Sequence, residues 1–177
     1  MRLFQPLIPL LALFAHGAKA DTYLVTAQNL MPDEHITQYV MGPADKDAVY
    51  FEDDGSLTLP ARFLAVQGSP FLLLSALGEG GLLGNGQDTI GDWTGQTNHL
   101  ETAEFEITTD ASSLRIMAMV GPELEPDNYL MGLADLSHDN EITVPLRRYD
   151  LGMNEGTNQT TYIGDDDVIF TIRKVAD

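Results

Sequence analysis

The sequence predicts an all-β fold, an antiparallel β-sandwich with short helices in an irregular middle region. Three observations predict it. Residues 102–108 alternate strictly, with Ala103, Phe105 and Ile107 on one side and Thr102, Glu104, Glu106 and Thr108 on the other, the pattern of a strand with one face in water. Short β-branched and aromatic runs recur through the second half with turn residues between them. There is neither an internal repeat nor a heptad.

Taken in order, residues 22–29 (TYLVTAQN) form a first strand that ends at the turn signal Met31-Pro32-Asp33. Residues 36–50 are broken by Gly42 and Pro43 and interleaved with Asp45 and Asp47, which predicts irregular chain with a short strand or two. Glu52-Asp53-Asp54-Gly55 is a turn. The runs ARFLAV and FLLLSAL, separated by Gly68-Ser69-Pro70, suit helices of one to two turns. Seven glycines between Gly78 and Gly95 predict an extended surface loop, with Trp93 pinning it to the core. After the alternating strand, residues 114–120 are apolar on both faces apart from Arg115, so they belong to a central strand. Residues 129–136, 142–149 and 168–175 complete the set.

The first 20 residues carry Arg2, an apolar stretch from Leu7 to Ala15, and small residues at Ala18 and Ala20. This is the three-part pattern of a secretory signal peptide cleaved before Asp21, leaving residues 21–177 as one domain. It is too short to span a bilayer, which takes roughly 20 consecutive apolar residues, and Pro6 and Pro9 interrupt it. No direct membrane insertion is expected, and the location is periplasmic or secreted. The chain has no cysteine, hence no disulfide and no thiolate metal site. Its net charge is −18, and the leader holds two bases and no acid, so the remainder is more acidic still. Such a surface repels phosphate backbones, which argues against a nucleic-acid partner.

Motifs for catalysis are missing from the sequence. Ser69 lacks the glycine spacing of a nucleophile elbow, and His35, His99 and His138 do not form a zinc-helix pattern. The glycine pairs Gly80-Gly81 and Gly84-Gly86 are not followed by a lysine. The distribution of acids is more informative. If residues 114–120, 129–136 and 142–149 run as successive antiparallel strands, the connection 121–128 and the connection 150–157 emerge at the same end of the sheet. The first carries Glu123, Glu125 and Asp127, and the second Asp150, Asn154 and Glu155. Oxygen ligands from two adjacent connections suit calcium, which takes six to eight of them in flexible geometry. Asp165-Asp166-Asp167 is a second acidic run, expected as a solvated loop.

The stretch from Leu114 to Gly156, with MVGPELEPDNYLMG and YDLGMNEG inside it, resembles the signature half of the spondin amino-terminal domain. That family has a strand ending in a "(M)xxPSPDWFVG" segment and later an aromatic residue followed by "DAGTDSG". Residues 23–29 and 65–70 resemble its first strand and a short segment of its middle. The resemblance implies a β-sandwich with a calcium site, in which Asp127 stands for the acid of the first motif, Asp150 for the first acid of the second, and Asn154 for its last acid. Here two extra residues lie between Pro122 and Pro126, Asn128 replaces the tryptophan, Met153 a threonine and Asn154 an acid, with Glu155 beside it to substitute. The family's animal members are matrix and adhesion proteins, and single-domain exported relatives occur in bacteria.

The resulting expectation is an exported, non-catalytic binding module whose partner is a protein or glycan outside the cytoplasm, with calcium held by Asp127, Asp150, Asn154 and Glu155. Two alternatives from other classes are a small carbohydrate-active hydrolase using paired carboxylates such as Glu123 and Asp127, and a metal-free envelope protein that pairs through a sheet edge.

Overall fold

The computed structural model describes residues 20–84, 96–121 and 127–175. The leader, Trp93 and Glu123 therefore lie outside the described residues. The chain order is β1 (Asp21–Asn29), β2 (Tyr39–Pro43), α1 (Asp47–Tyr50), α2 (Leu59–Gln67), α3 (Phe71–Leu77), a 3-10 turn (Gly78–Gly80), β3 (Leu82–Gly84), β4 (Thr102–Thr109), β5 (Ser113–Met119), β6 (Asn128–Asp135), β7 (Glu141–Asp150) and β8 (Thr161–Lys174). The all-β class holds. Among the described residues all eight strands join one antiparallel sheet in the order β3-β2-β5-β6-β7-β8-β1-β4.

That sheet curls until its two ends face each other, so a single sheet supplies both layers around the core. The curl is visible in side chains from distant strands that meet inside. Phe105 of β4 stacks on Tyr39 of β2 at 6.1 Å between ring centroids, and Phe170 of β8 meets Tyr39 edge-on at 4.8 Å. A Cβ on Gly84 of β3 would run into the Phe105 ring, so the missing side chain lets the sheet ends approach. Tyr23, Val25 and Ala27, then Val168, Phe170 and Ile172, and Leu114, Ile116 and Ala118 fill the interior at period two.

A second core lies on the outer face of β2, β5 and β6, where Val40, Met117, Tyr129 and Met131 are roofed by Leu64, Leu73 and Leu77 of the helices. This explains why β5 is apolar on both faces: one faces the interior and the other the helices. Both short helices form where the apolar runs predict them. Thr58 caps α2 by accepting a hydrogen bond from the Ala61 N–H at 3.4 Å, and Gly68 ends it at φ 64° in the left-handed region. Replacing Thr58 with alanine is expected to lower stability by about 1 kcal/mol, read as a shift in the urea midpoint. Among the described residues no helix is long and apolar enough to cross a membrane.

Two expectations are corrected. The glycine-rich stretch after Gly78 is not loop from its start: the 3-10 turn and β3 come first, because Leu82 and Leu83 face the two cores and pair with β2. The run Asp165-Asp166-Asp167 is not a loop but part of β8, which starts at Thr161 rather than near Val168. From Leu146↔Val168 to Arg148↔Gly164, β7 advances two residues while β8 advances four, so the aspartates form a bulge. Asp167 accepts from the Arg148 guanidinium at 3.3 Å, which holds that bulge against the sheet.

Candidate metal centre

β5, β6 and β7 are sequential antiparallel neighbours, so the β5–β6 connection and the chain leaving β7 emerge together. The register places Asn128 opposite Asp150, which sets Asp127 beside the exit of β7. Asp127 is 3 % exposed although it carries a charge. Burial of a carboxylate demands partners, and it has them: Oδ2 accepts the Met153 N–H at 2.6 Å and the Asn154 N–H at 3.3 Å, while Oδ1 accepts the Asn154 side-chain amide at 3.1 Å. Its own carbonyl accepts the Leu151 N–H at 3.2 Å.

The turn that supplies those donors is shaped by its own residues. Asp150 Oδ1 accepts the Gly152 N–H at 2.7 Å, an Asx turn that bends the chain as it leaves β7. Gly152 sits at φ 65°, and a Cβ there would collide with the Thr157 hydroxyl, which itself donates to the Gly152 carbonyl at 3.2 Å. The Asn158 N–H reaches the same carbonyl at 2.9 Å and the Gly156 N–H closes a tighter turn on Met153 at 3.2 Å.

The outcome is that carboxylate oxygens of Asp127, Asp150 and Glu155 all lie within 4.8 Å of one another. Asp127 is buried, Asp150 half-buried and Glu155 exposed, so the group runs from the sheet end out to solvent. Two unit charges about 4 Å apart repel by about 1 kcal/mol in bulk water and about 4 kcal/mol at an effective dielectric of about 20. A cation between the carboxylates converts that repulsion into attraction. A carboxylate has roughly four lone-pair sites, so the hydrogen bonds on Asp127 and Asp150 leave room for one. Donors of oxygen alone favour a hard cation over zinc or copper. The three acids could hold a metal ion.

Of the four residues singled out from sequence, the structure brings together Asp127, Asp150 and Glu155 as the carboxylate group and sets Asn154 against Asp127 as a hydrogen-bond donor. Comparison with protein-family models gives no match, and neither does comparison with curated proteins. The site's own geometry must therefore carry the functional reading.

Sequence reasoning missed the support behind the site. Arg148, two residues before Asp150, is clamped by Glu34 at 2.7 and 3.0 Å in a fork-to-fork pair and by Asp167. Burial works to lower the pKa of the Arg148 guanidinium, and its bonds to Glu34 and Asp167 outweigh burial and hold it above its ordinary value. Glu34 and Arg148 stand 114 positions apart, and no local pattern links them. A cluster of Asp135, Ser137 and His138 also brings a carboxylate, a hydroxyl and an imidazole together, but on one exposed hairpin turn, where Asp135 simply caps the Ser137 N–H at 2.9 Å. Nothing there shelters a reacting group from water.

Proposed function

We propose that the chain is an exported, non-catalytic binding module of the spondin amino-terminal type, in which calcium joins the β5–β6 connection to the turn after β7 and thereby fixes a ligand surface. The observation that carries this reading is the approach of three carboxylates from two connections to within 4.8 Å. Calcium suits the place better than magnesium. It tolerates irregular sets of six to eight oxygens, whereas magnesium demands near-ideal octahedral geometry. Asp127, Asp150 and Glu155 would supply the charge, and the Asn154 side chain would orient Asp127. Water would complete the shell on the exposed side. The leader and the acidic surface support work outside the cytoplasm on a protein or glycan partner.

The test is thermal melting with calcium, with magnesium and with chelator. A ligand bound only by the native state stabilises by about 2.7 kcal/mol when its concentration is 100 times its Kd. For a domain of this size that corresponds to a rise in midpoint of roughly 5–10 °C. Calcium is expected to raise the midpoint and magnesium to do so much less. Equal midpoints in calcium and in chelator would remove the metal from the account.

A further inference from the structure

The helices roof β2, β5 and β6 but stop short of β7 and β8. At that step lies a half-open groove of about 580 Å³, floored by β6 and β7 and walled by Phe51 and Gly55. The volume falls within the roughly 300–1,000 Å³ of small-ligand sites.

The lining runs against the character of the chain. In a protein of net charge −18 with only nine lysines and arginines, two guanidiniums, Arg115 and Arg147, open into this one groove. Arg115 is anchored by Asp47 at 2.6 Å and lies over the rings of Tyr50 and Phe51. Arg147 is exposed and has no ion-pair partner among the described residues. Beside it Tyr149 stacks on Tyr129 with ring centroids 5.2 Å apart, and the half-exposed Tyr162 meets Tyr149 edge-on at 5.9 Å. Burial, with Tyr149 next to it, pushes the Tyr129 hydroxyl's pKa up, so that hydroxyl stays neutral beside the arginines. Asp165, Thr143 and Thr160 add oxygens to the same lining.

We propose that this groove binds a short acidic saccharide, with Arg147 on a ring carboxylate, the Tyr149 ring against the sugar's apolar face, and Asp165 and the threonines on its hydroxyls. The combination selects the class. An exposed guanidinium fork matches a carboxylate in two parallel hydrogen bonds. Asp165 would repel a purely anionic ligand, yet it accepts hydrogen bonds from hydroxyls, which a sugar acid offers in number. The ligand is short because the acidic surface beyond the groove repels further carboxylates over the Debye length of about 8 Å at physiological salt. This inference rests on the reading of the chain as a binding module and is independent of the metal.

The test is calorimetric titration of the exported protein with trigalacturonate, with neutral galactotriose and with a glutamate-rich peptide, each in calcium and in chelator. One saturable site for the acidic trimer is expected in both media, with the neutral trimer and the peptide weaker by about 10-fold or more. Arg147→Gln should lose about 10- to 100-fold in affinity while melting like the parent, because the side chain is exposed. No saturable binding of the acidic trimer by about 10 mM, beyond which contacts this weak are not specific recognition, would overturn the proposal. So would tighter binding of the peptide, or unchanged affinity in Arg147→Gln. Binding in chelator with no calcium effect on melting would sink the metal and leave the groove standing.

Discussion

Replacing Arg148 with alanine is expected to destabilise the fold by about 3–5 kcal/mol, the range for stripping one partner from a buried ion pair. The reason lies in what remains. Glu34 has a side chain only 6 % exposed, and both its oxygens rest on the Arg148 guanidinium at 2.7 and 3.0 Å. Without the guanidinium its charge is buried unpaired, and Asp167, bonded to the same group, loses its anchor. The β8 bulge then keeps the Leu30 N–H on the Asp167 carbonyl at 2.8 Å but loses its side-chain anchor, and the start of β8 pairs less firmly with the end of β7, where Asp150 sits. Urea denaturation at neutral pH gives the size of the effect. The double variant Glu34→Met/Arg148→Met should recover much of the loss, since an apolar replacement of both partners leaves no unpaired charge. A double variant as unstable as Arg148→Ala would mean that the clamp acts through packing instead.

The second large effect is expected at Asp127. Its replacement by alanine leaves the Met153 and Asn154 N–H groups and the Asn154 amide without their acceptor; Met153 and Asn154 are exposed and their donors regain water in part, so the cost is about 1–3 kcal/mol in all. The turn after β7 should loosen, and with it the calcium response should vanish. Glu155→Gln separates the two consequences. Glu155 is exposed on the turn, so its amide variant should melt like the parent in chelator. Calcium affinity should nevertheless fall by about 10-fold or more, because ligand charge sets affinity in such sites. Calorimetric titration reads the affinity, and melting in chelator reads the fold. A Glu155→Gln variant with parental calcium affinity would exclude that carboxylate from the site.

Much of this architecture is legible in the sequence, and the reason is periodicity. β4 shows its half-exposed face by strict alternation, and β5 shows its central place by being apolar on both sides. The short helices follow from compact apolar runs ended by Gly68 and Gly78. The first half of β8 is hidden because Gly164 and three consecutive aspartates read as turn chemistry. Distant partners, Arg148 on the Asp167 carboxylate and the Leu30 N–H on its carbonyl, hold them as a bulged strand. β3 is hidden for a related cause: three residues among glycines become a strand only by pairing with β2.

The same division applies to the candidate site. The convergence of Asp127 and Asp150 follows from strand order, since consecutive antiparallel strands bring alternate connections to one end. What the sequence does not disclose is the clasp in which backbone N–H groups of Met153 and Asn154 hold the buried Asp127, because it depends on the turn that Gly152 and Thr157 impose. The division of labour between Asn154 and Glu155 also depends on that turn. Neighbours in sequence point differently once Gly152 takes its left-handed conformation.

The most direct measurement is anomalous scattering from crystals grown in calcium, about 10 mM to saturate even a weak extracellular-type site. The account predicts one peak lying about 2.3–2.6 Å from an oxygen of each of Asp127, Asp150 and Glu155. Ordered carboxylates of these three residues with no ion between them would contradict it.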